Sequence, residues 1–310
     1  MVYMKNTLIT VLLLALIGFG AYLFFSDTDK SDRDDTTSGI TNNDDTSKNN
    51  IASSTIATTT PRAGETIIGT SVDGRDITAY HFGKGNDEIL LIGGIHGGYS
   101  WNTALVAFEA IDYFKKNESL IPDNITLTII PILNPDGLYS VVEKEGRFTA
   151  NDVSTDTSIR IAGRFNAHGV DLNRNFDCTW QATSMWQSRS VSGGTSAFSE
   201  PEARAIKDYV EAHLPSAALV WYSAAGGVYA SSCDTTSILP ETRTLINIFA
   251  TASGYKAYED FDSYNITGDM VNWLAKKKIP AISVLLTTHD STEWNKNKAG
   301  IEALIQEYAK

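Results

Sequence analysis

From residue 63 onward the apolar positions keep changing period. "TIIGTSVDGRDITAYHF" (66–82) alternates about an Asp-Gly pair, which predicts two strands joined by a turn. "EILLIGG" (88–94) is a short, continuous apolar run and predicts a strand buried on both faces. The period then becomes helical: within 103–116, Leu105, Phe108, Ile111 and Phe114 share one face. Strand patterns return at "ITLTIIPIL" (125–133), "AALVWYS" (217–223) and "AISVLL" (281–286). Helices are predicted at 199–214, where Ser199 and Glu202 stand in capping-box spacing, at 240–253, at 268–278 and from 293. Strands alternating with helices argue an α/β fold: a mixed, mostly parallel sheet with helices on both faces. In such sheets ligands bind beyond the carboxyl ends of the strands. His96, Asn134, Ser223 and Leu286 all fall at such ends and should cluster.

The chain before residue 63 has a different character. Residues 7–25, "TLITVLLLALIGFGAYLFF", are nineteen in number and carry no charge. At 1.5 Å per residue a helix of that length is roughly 28 Å long, near the hydrocarbon thickness of a bilayer. Lys5 precedes it and Asp27, Asp29, Asp32, Asp34 and Asp35 follow, so the positive-inside bias puts the rest of the chain outside the cytoplasm. Residues 1–25 therefore read as a single-pass membrane anchor, the alternative being a signal segment that is cleaved to release a secreted protein. Residues 26–62, rich in Ser, Thr, Asn and Asp, have too few large apolar side chains to offset chain entropy and predict a disordered linker. Residues 63–310 are one domain's worth of chain. The formal charge, 25 − 37 = −12, and the lack of a basic stripe argue against a nucleic-acid partner.

Five motifs follow one another: "GGIHGG" (93–98), "PILNPDG" (131–137), "GVDLNRNF" (169–176), "SEPEAR" (199–204) and "TGDMVNWL" (267–274). Their order and spacing resemble the zinc metallocarboxypeptidases, the carboxypeptidase A-like family, from about Ile67 to the C-terminus. The resemblance implies that fold, a peptide substrate gripped at its free C-terminus, and zinc held by two histidines and a glutamate, with a second glutamate as general base. Carried over by position, His96 matches the first zinc histidine, and Asp171 the carboxylate that orients it by accepting its other N–H. Asn173 and Arg174 match the grip on the terminal carboxylate. Arg164 is the candidate for polarising the scissile carbonyl, with Arg160 second. Tyr264 matches the tyrosine that closes over the substrate. Val271 lies where the pocket floor is set and implies an apolar or undemanding pocket.

Three positions depart from the pattern. Ser100 stands where the zinc glutamate is expected, Tyr222 replaces the second zinc histidine, and Leu285 takes the place of the general base. The flanking motifs hold the register at all three. Of the five histidines, His168 and His289, together with Glu293, are the residues that a rebuilt metal site would have to recruit. The two cysteines, Cys178 and Cys233, both follow segments that border the cleft in the family, and outside the cytoplasm they are expected to form a disulfide. Three functional readings stay open. One is an anchored pseudo-peptidase that recognises peptide C-termini, cell-wall stem peptides among them, without cleaving them and without zinc. Another is an active metallocarboxypeptidase with an atypical zinc site. The last is a surface domain with a vestigial cleft.

Overall fold

The structure, a computed structural model, describes residues 64–233 and 237–310. The anchor expected at 7–25 and the linker expected at 26–62 lie outside these residues. Among the described residues no helix is long and apolar enough to cross a membrane.

Strands β1 (Glu65–Thr70) and β2 (Asp76–Gly83) form the expected antiparallel hairpin about Asp73-Gly74. The predicted buried runs become β3 (Asp87–Ile92), β4 (Ile125–Ile130), β7 (Ala217–Ser223) and β10 (Ala281–Leu286). The remaining strands are short: β5 (Thr183–Trp186), β6 (Arg189–Ser192), β8 (Gly227–Ala230) and β9 (Ala257–Tyr258). Eight of them make one sheet in the order β1-β2-β4-β3-β7-β10-β8-β9, while β5 and β6 pair by themselves. The central β4, β3, β7 and β10 run parallel, and nearly every position in them is buried because helices cover both faces. All four therefore end at the same edge.

Helices α1 (Trp101–Lys116), α5 (Pro240–Ser253) and α7 (Trp294–Tyr308) cover one face, where Phe108, Phe114, Phe249 and Ile301 join a single apolar cluster. Helices α4 (Pro201–His213) and α6 (Met270–Lys276) cover the other, with Ile206, Val210, Trp273 and Leu274. Two short helices, α2 (Pro135–Val142) and α3 (Thr157–Ala162), lie near the strand ends. "NPDG", which suggests a tight turn, instead starts α2: the Asn134 side chain accepts a hydrogen bond from Gly137 N, and Pro135 takes the first helical position.

The capping box expected at Ser199 and Glu202 does not form. The N-cap of α4 is Glu200. Ser199 donates its hydroxyl to the Glu200 carboxylate, and Glu202 is drawn into a buried cluster where it accepts from Val72 N and Asn166 Nδ2. Tertiary partners outcompete the local motif here.

Candidate functional site

The parallel strand ends open into a cavity of about 720 Å³. After β3 the chain turns to His96, which is 6% exposed. Gly97 has φ +44°, and a Cβ on it would stand 2.5 Å from the Gly163 carbonyl oxygen and 2.8 Å from the Gly137 carbonyl carbon. The glycines of "GGIHGG" thus let this turn press against backbone, which fixes His96 at the sheet edge. Asn134, by contrast, is wholly buried as a helix cap, and Leu286 faces the opposite core cluster, so neither joins the cavity wall. Ser223 does line it.

Tyr222 and Leu285 are register partners on β7 and β10, so both point to the same face and both line the cavity. The Tyr222 ring lies 5.5 Å from that of His96. Its hydroxyl donates to Asn173 Oδ1 at 3.2 Å. Burial pushes this phenol well above its usual range, and Asp269 adds to the effect, so it stays neutral at physiological pH. Ser100 is buried, and its hydroxyl reaches the Ser223 carbonyl at 3.5 Å.

Asp171 has no exposed surface. Its Oδ2 accepts from Arg164 Nε at 2.9 Å and lies 2.8 Å from Arg164 Nη2, while Oδ1 accepts from Asn173 N. Burial pushes the Asp171 carboxyl up, but the charges of Arg164 and Arg174 outweigh it and hold the group at about 2. The hydrogen bond expected from His96 to Asp171 is not made: Nε2 stands 3.7 Å from Oδ1, beyond hydrogen-bonding distance. Asp171 turns instead to the guanidinium, a full charge with two donors aimed at one oxygen. Both ring nitrogens of His96 are buried without a hydrogen-bond partner among the described residues. Burial and then the charge of Arg164 hold the imidazole well below its ordinary value, so it is neutral at pH 7.

Arg174 is 1% exposed yet reaches the cavity. Its Nε and Nη2 donate to the Met185 carbonyl and its Nη1 to the Asn173 carbonyl, engaging three of the five N–H groups. One N–H on each Nη remains, a planar pair suited to a carboxylate. Arg164 also lines the cavity, its guanidinium carbon 4.4 Å from the centre of the Trp186 ring. Tyr264 and Val271 line it too, whereas Arg160 lies outside it.

Zinc sites need several nitrogen, thiolate or carboxylate donors converging on one point. The three positions that depart from the family pattern hold a serine hydroxyl, a protonated phenol and an aliphatic side chain, and this donor set does not fit zinc. Among the described residues no group of three or more His, Cys, Asp or Glu side chains could hold a metal ion. Of the residues weighed as substitutes, His289 lines the cavity and its Nδ1 meets Ser223 Oγ at 3.0 Å. His168 pairs with Glu200 and points to solvent. Glu293 accepts from Thr287 N and Tyr255 OH and lies outside the cavity. The expected disulfide is present between Cys178 and Cys233.

Several cavity residues escape sequence reasoning. Tyr99 and Trp186, whose rings meet edge to face at 4.9 Å, come from distant segments. Asp269 is the most consequential: it is 4% exposed and lines the cavity, and its Oδ1 is buried without a hydrogen-bond partner among the described residues. The only signal for it was its place two residues before Val271, in a position that reads as an ordinary helix cap.

A model of the family described as zinc carboxypeptidase matches residues 52–306. Carboxypeptidase B of Helicoverpa zea is 29% identical over 168 residues, covering 52% of this chain and 38% of that protein. Gamma-D-glutamyl-L-diamino acid endopeptidase 1 of Lysinibacillus sphaericus is 24% identical over 221 residues, covering 64% of this chain and 54% of its own length. The chain thus matches about half of these curated relatives or less. Among solved structures, murein-tripeptide amidase MpaA from Escherichia coli O157 superposes with a TM-score of 0.53 at 16% identity, over 81% of this chain and 93% of that one. At that identity the likeness is one of fold.

Proposed function

From the premise that the chain belongs to the zinc carboxypeptidase family, we propose that its domain is a pseudo-peptidase that binds peptide C-termini and is impaired in cleaving them. The observation that carries this reading is the side-by-side placement of Tyr222 and Leu285 in the cavity that His96 and Arg174 also line, with the Tyr222 ring 5.5 Å from that of His96. A phenol that stays protonated cannot replace a histidine ligand, and leucine cannot move a proton. The substrate grip has no such defect. Asn173 and Arg174 are buried in fixed orientations, and Tyr264 stands at the same cavity with its ring centre 5.9 Å from the Arg174 guanidinium carbon.

Cell-wall stem peptides are the favoured ligand class. The Lysinibacillus sphaericus relative is named for a γ-D-glutamyl-L-diamino acid bond, and the Escherichia coli structure for a murein tripeptide. Residues 7–25 would hold the domain against the outer side of the cytoplasmic membrane, where such peptides are found. The unpartnered nitrogens of His96 and the presence of His289 in the same cavity favour a second reading, an active enzyme with an atypical metal site.

Full-length protein dialysed against zinc separates the two. The first reading expects no retained equivalent of metal, binding of peptides with a free C-terminus, loss of that binding on amidation, and no released amino acid. One tightly held zinc per chain together with C-terminal release would replace it with the second.

A further inference from the structure

Resting on that reading, we propose that Arg189 makes the cavity selective for a carboxylate on the residue that precedes the C-terminal one. Most arginines of the domain are committed elsewhere. Arg75, Arg147, Arg164 and Arg243 pair with carboxylates. Arg174 and Arg204 donate to backbone carbonyls. Among the described residues that leaves Arg160, whose one side-chain contact is Thr157 Oγ1 at 3.4 Å, and Arg189, which meets only the Trp186 ring. Acids outnumber bases by 37 to 25 in this chain, so a shortage of partners does not explain two cations without an acid. A cation resting on an indole is the ordinary explanation for Arg189, but that contact leaves all five of its N–H donors free.

The fold brings Arg189 beside the place such a residue would take. Trp186 and Arg189 are register partners across the two-residue tip of the β5–β6 hairpin, and the tip residues, Gln187 and Ser188, line the cavity. The hairpin is tied to the carboxylate grip, because the Met185 carbonyl accepts from Arg174, and Ser184 Oγ meets Thr267 Oγ1 at 2.7 Å. The buried Trp186 ring carries two guanidiniums: the carbon of Arg164 lies 4.4 Å from its centre and that of the exposed Arg189 5.6 Å. By the resemblance Arg164 meets the last peptide carbonyl, which belongs to the residue before the C-terminal one. Arg189 shares a ring with that group, and its donors face solvent where the side chain of the same residue would leave the cavity. Burial pushes the Tyr99 phenol up, and the charges of Arg164 and Arg189 pull against it, so the field of both reaches this wall. The acids that line the cavity, Asp260 and Asp269, come instead from the segment that carries Tyr264 and Val271. The planar fork of an arginine suits a carboxylate. An acidic side chain supplies one, and so does a γ-linked glutamyl residue, whose α-carboxylate the linkage leaves free.

The test measures binding to full-length protein of two peptide pairs ending in alanine: acetyl-Ala-Glu-Ala with acetyl-Ala-Gln-Ala, and acetyl-Ala-γ-D-Glu-Ala with its α-carboxamide. Each is used as the C-terminal acid and the C-terminal amide. The carboxylate member of a pair should bind about 5-fold tighter at low ionic strength, the size expected for a partly exposed ion pair, and the pair that shows it identifies the source of the carboxylate. Raised salt should shrink the preference. Arg189→Gln should bring the ratio close to one and leave binding of the neutral members unchanged. If that variant does not fold, the salt dependence on the unmodified protein decides, and a preference that salt does not weaken overturns the proposal. A preference that survives in folded Arg189→Gln also overturns it. Equal binding within both pairs, abolished by C-terminal amidation, would remove the role of Arg189 and leave the C-terminal grip standing. Absence of binding by every peptide overturns both.

Discussion

Two buried aspartates, Asp269 in the cavity wall and Asp171 paired with the cavity residue Arg164, are driven in opposite directions by their neighbours. Arg164 and Arg174 hold Asp171 at about 2, whereas burial pushes Asp269 up to about 6, with Arg174 only partly opposing it. The depressed group contributes stability that is present above its unfolded value near 3.8 and is lost as pH falls toward 2. The raised group works the other way: the folded state gains from keeping Asp269 protonated, and that gain is lost as pH rises from about 4 through about 6. Ionised at pH 7, Asp269 costs stability on the order of 2–3 kcal/mol. Asp269→Asn should therefore be more stable than the parent at pH 7.5 and nearly equal to it at pH 4, as read by urea unfolding at both pH values. An equal difference at the two would show that the carboxyl is not strained. Ser100, Tyr222 and Leu285 invite the reverse experiment. The triple change Ser100→Glu, Tyr222→His, Leu285→Glu should bind zinc and release C-terminal residues, and Arg174→Ala in that background should abolish the release. Leu285→Glu alone should do nothing, since the three act as a unit. Leu285 is only partly buried, so a carboxylate there is tolerable. A folded, zinc-loaded triple variant that cleaves nothing would point to a decayed cleft.

At the scale of elements, the cavity depends on loops tied to the sheet from outside. The disulfide joins Cys178, just after the turn that carries Arg174, to Cys233, just after β8, and closes a loop across 55 positions. Both cysteines are buried in the cluster under α4 and α6. Replacing both by serine should destabilise the domain by up to about 4 kcal/mol on the chain-entropy account. Unfolding midpoints of the double variant and of reduced parent protein should agree. A drop under about 1 kcal/mol in both would mean that the packing around the bridge suffices. These elements were unevenly legible. The long central strands and α1, α5 and α7 follow from apolar period alone, because each buries a continuous face. The short β5, β6, β8 and β9 have no such run and exist through their pairing partners. The cap of α4 was misread for a related reason: Asn175 Nδ2 donates to Ser199 Oγ and Asn166 Nδ2 to Glu202, contacts that only the folded chain supplies.

For the whole molecule, the parallel direction of β4, β3, β7 and β10 gathers at one edge groups that lie far apart in the chain, from His96 to Leu285. If residues 7–25 anchor the chain with its domain outside, protease added to intact, wall-stripped cells should release a fragment beginning within residues 26–62. Full-length protein that survives this treatment but is digested after lysis would reverse the topology. By itself the sequence determined the α/β class, the family and the identity of the groups at each expected position, including the serine, tyrosine and leucine that depart from the pattern. It did so because periodicity and motif spacing are local properties that survive being read along a line. Only the tertiary structure decided which partners those groups keep. Asp171 serves Arg164, His96 has no hydrogen-bond partner among the described residues, Arg174 retains a pair of donors, and one oxygen of Asp269 is buried unpaired among them. Each of these is settled by tenths of an ångström between segments that the fold, and not the chain order, makes neighbours, and by the burial that strips water from them.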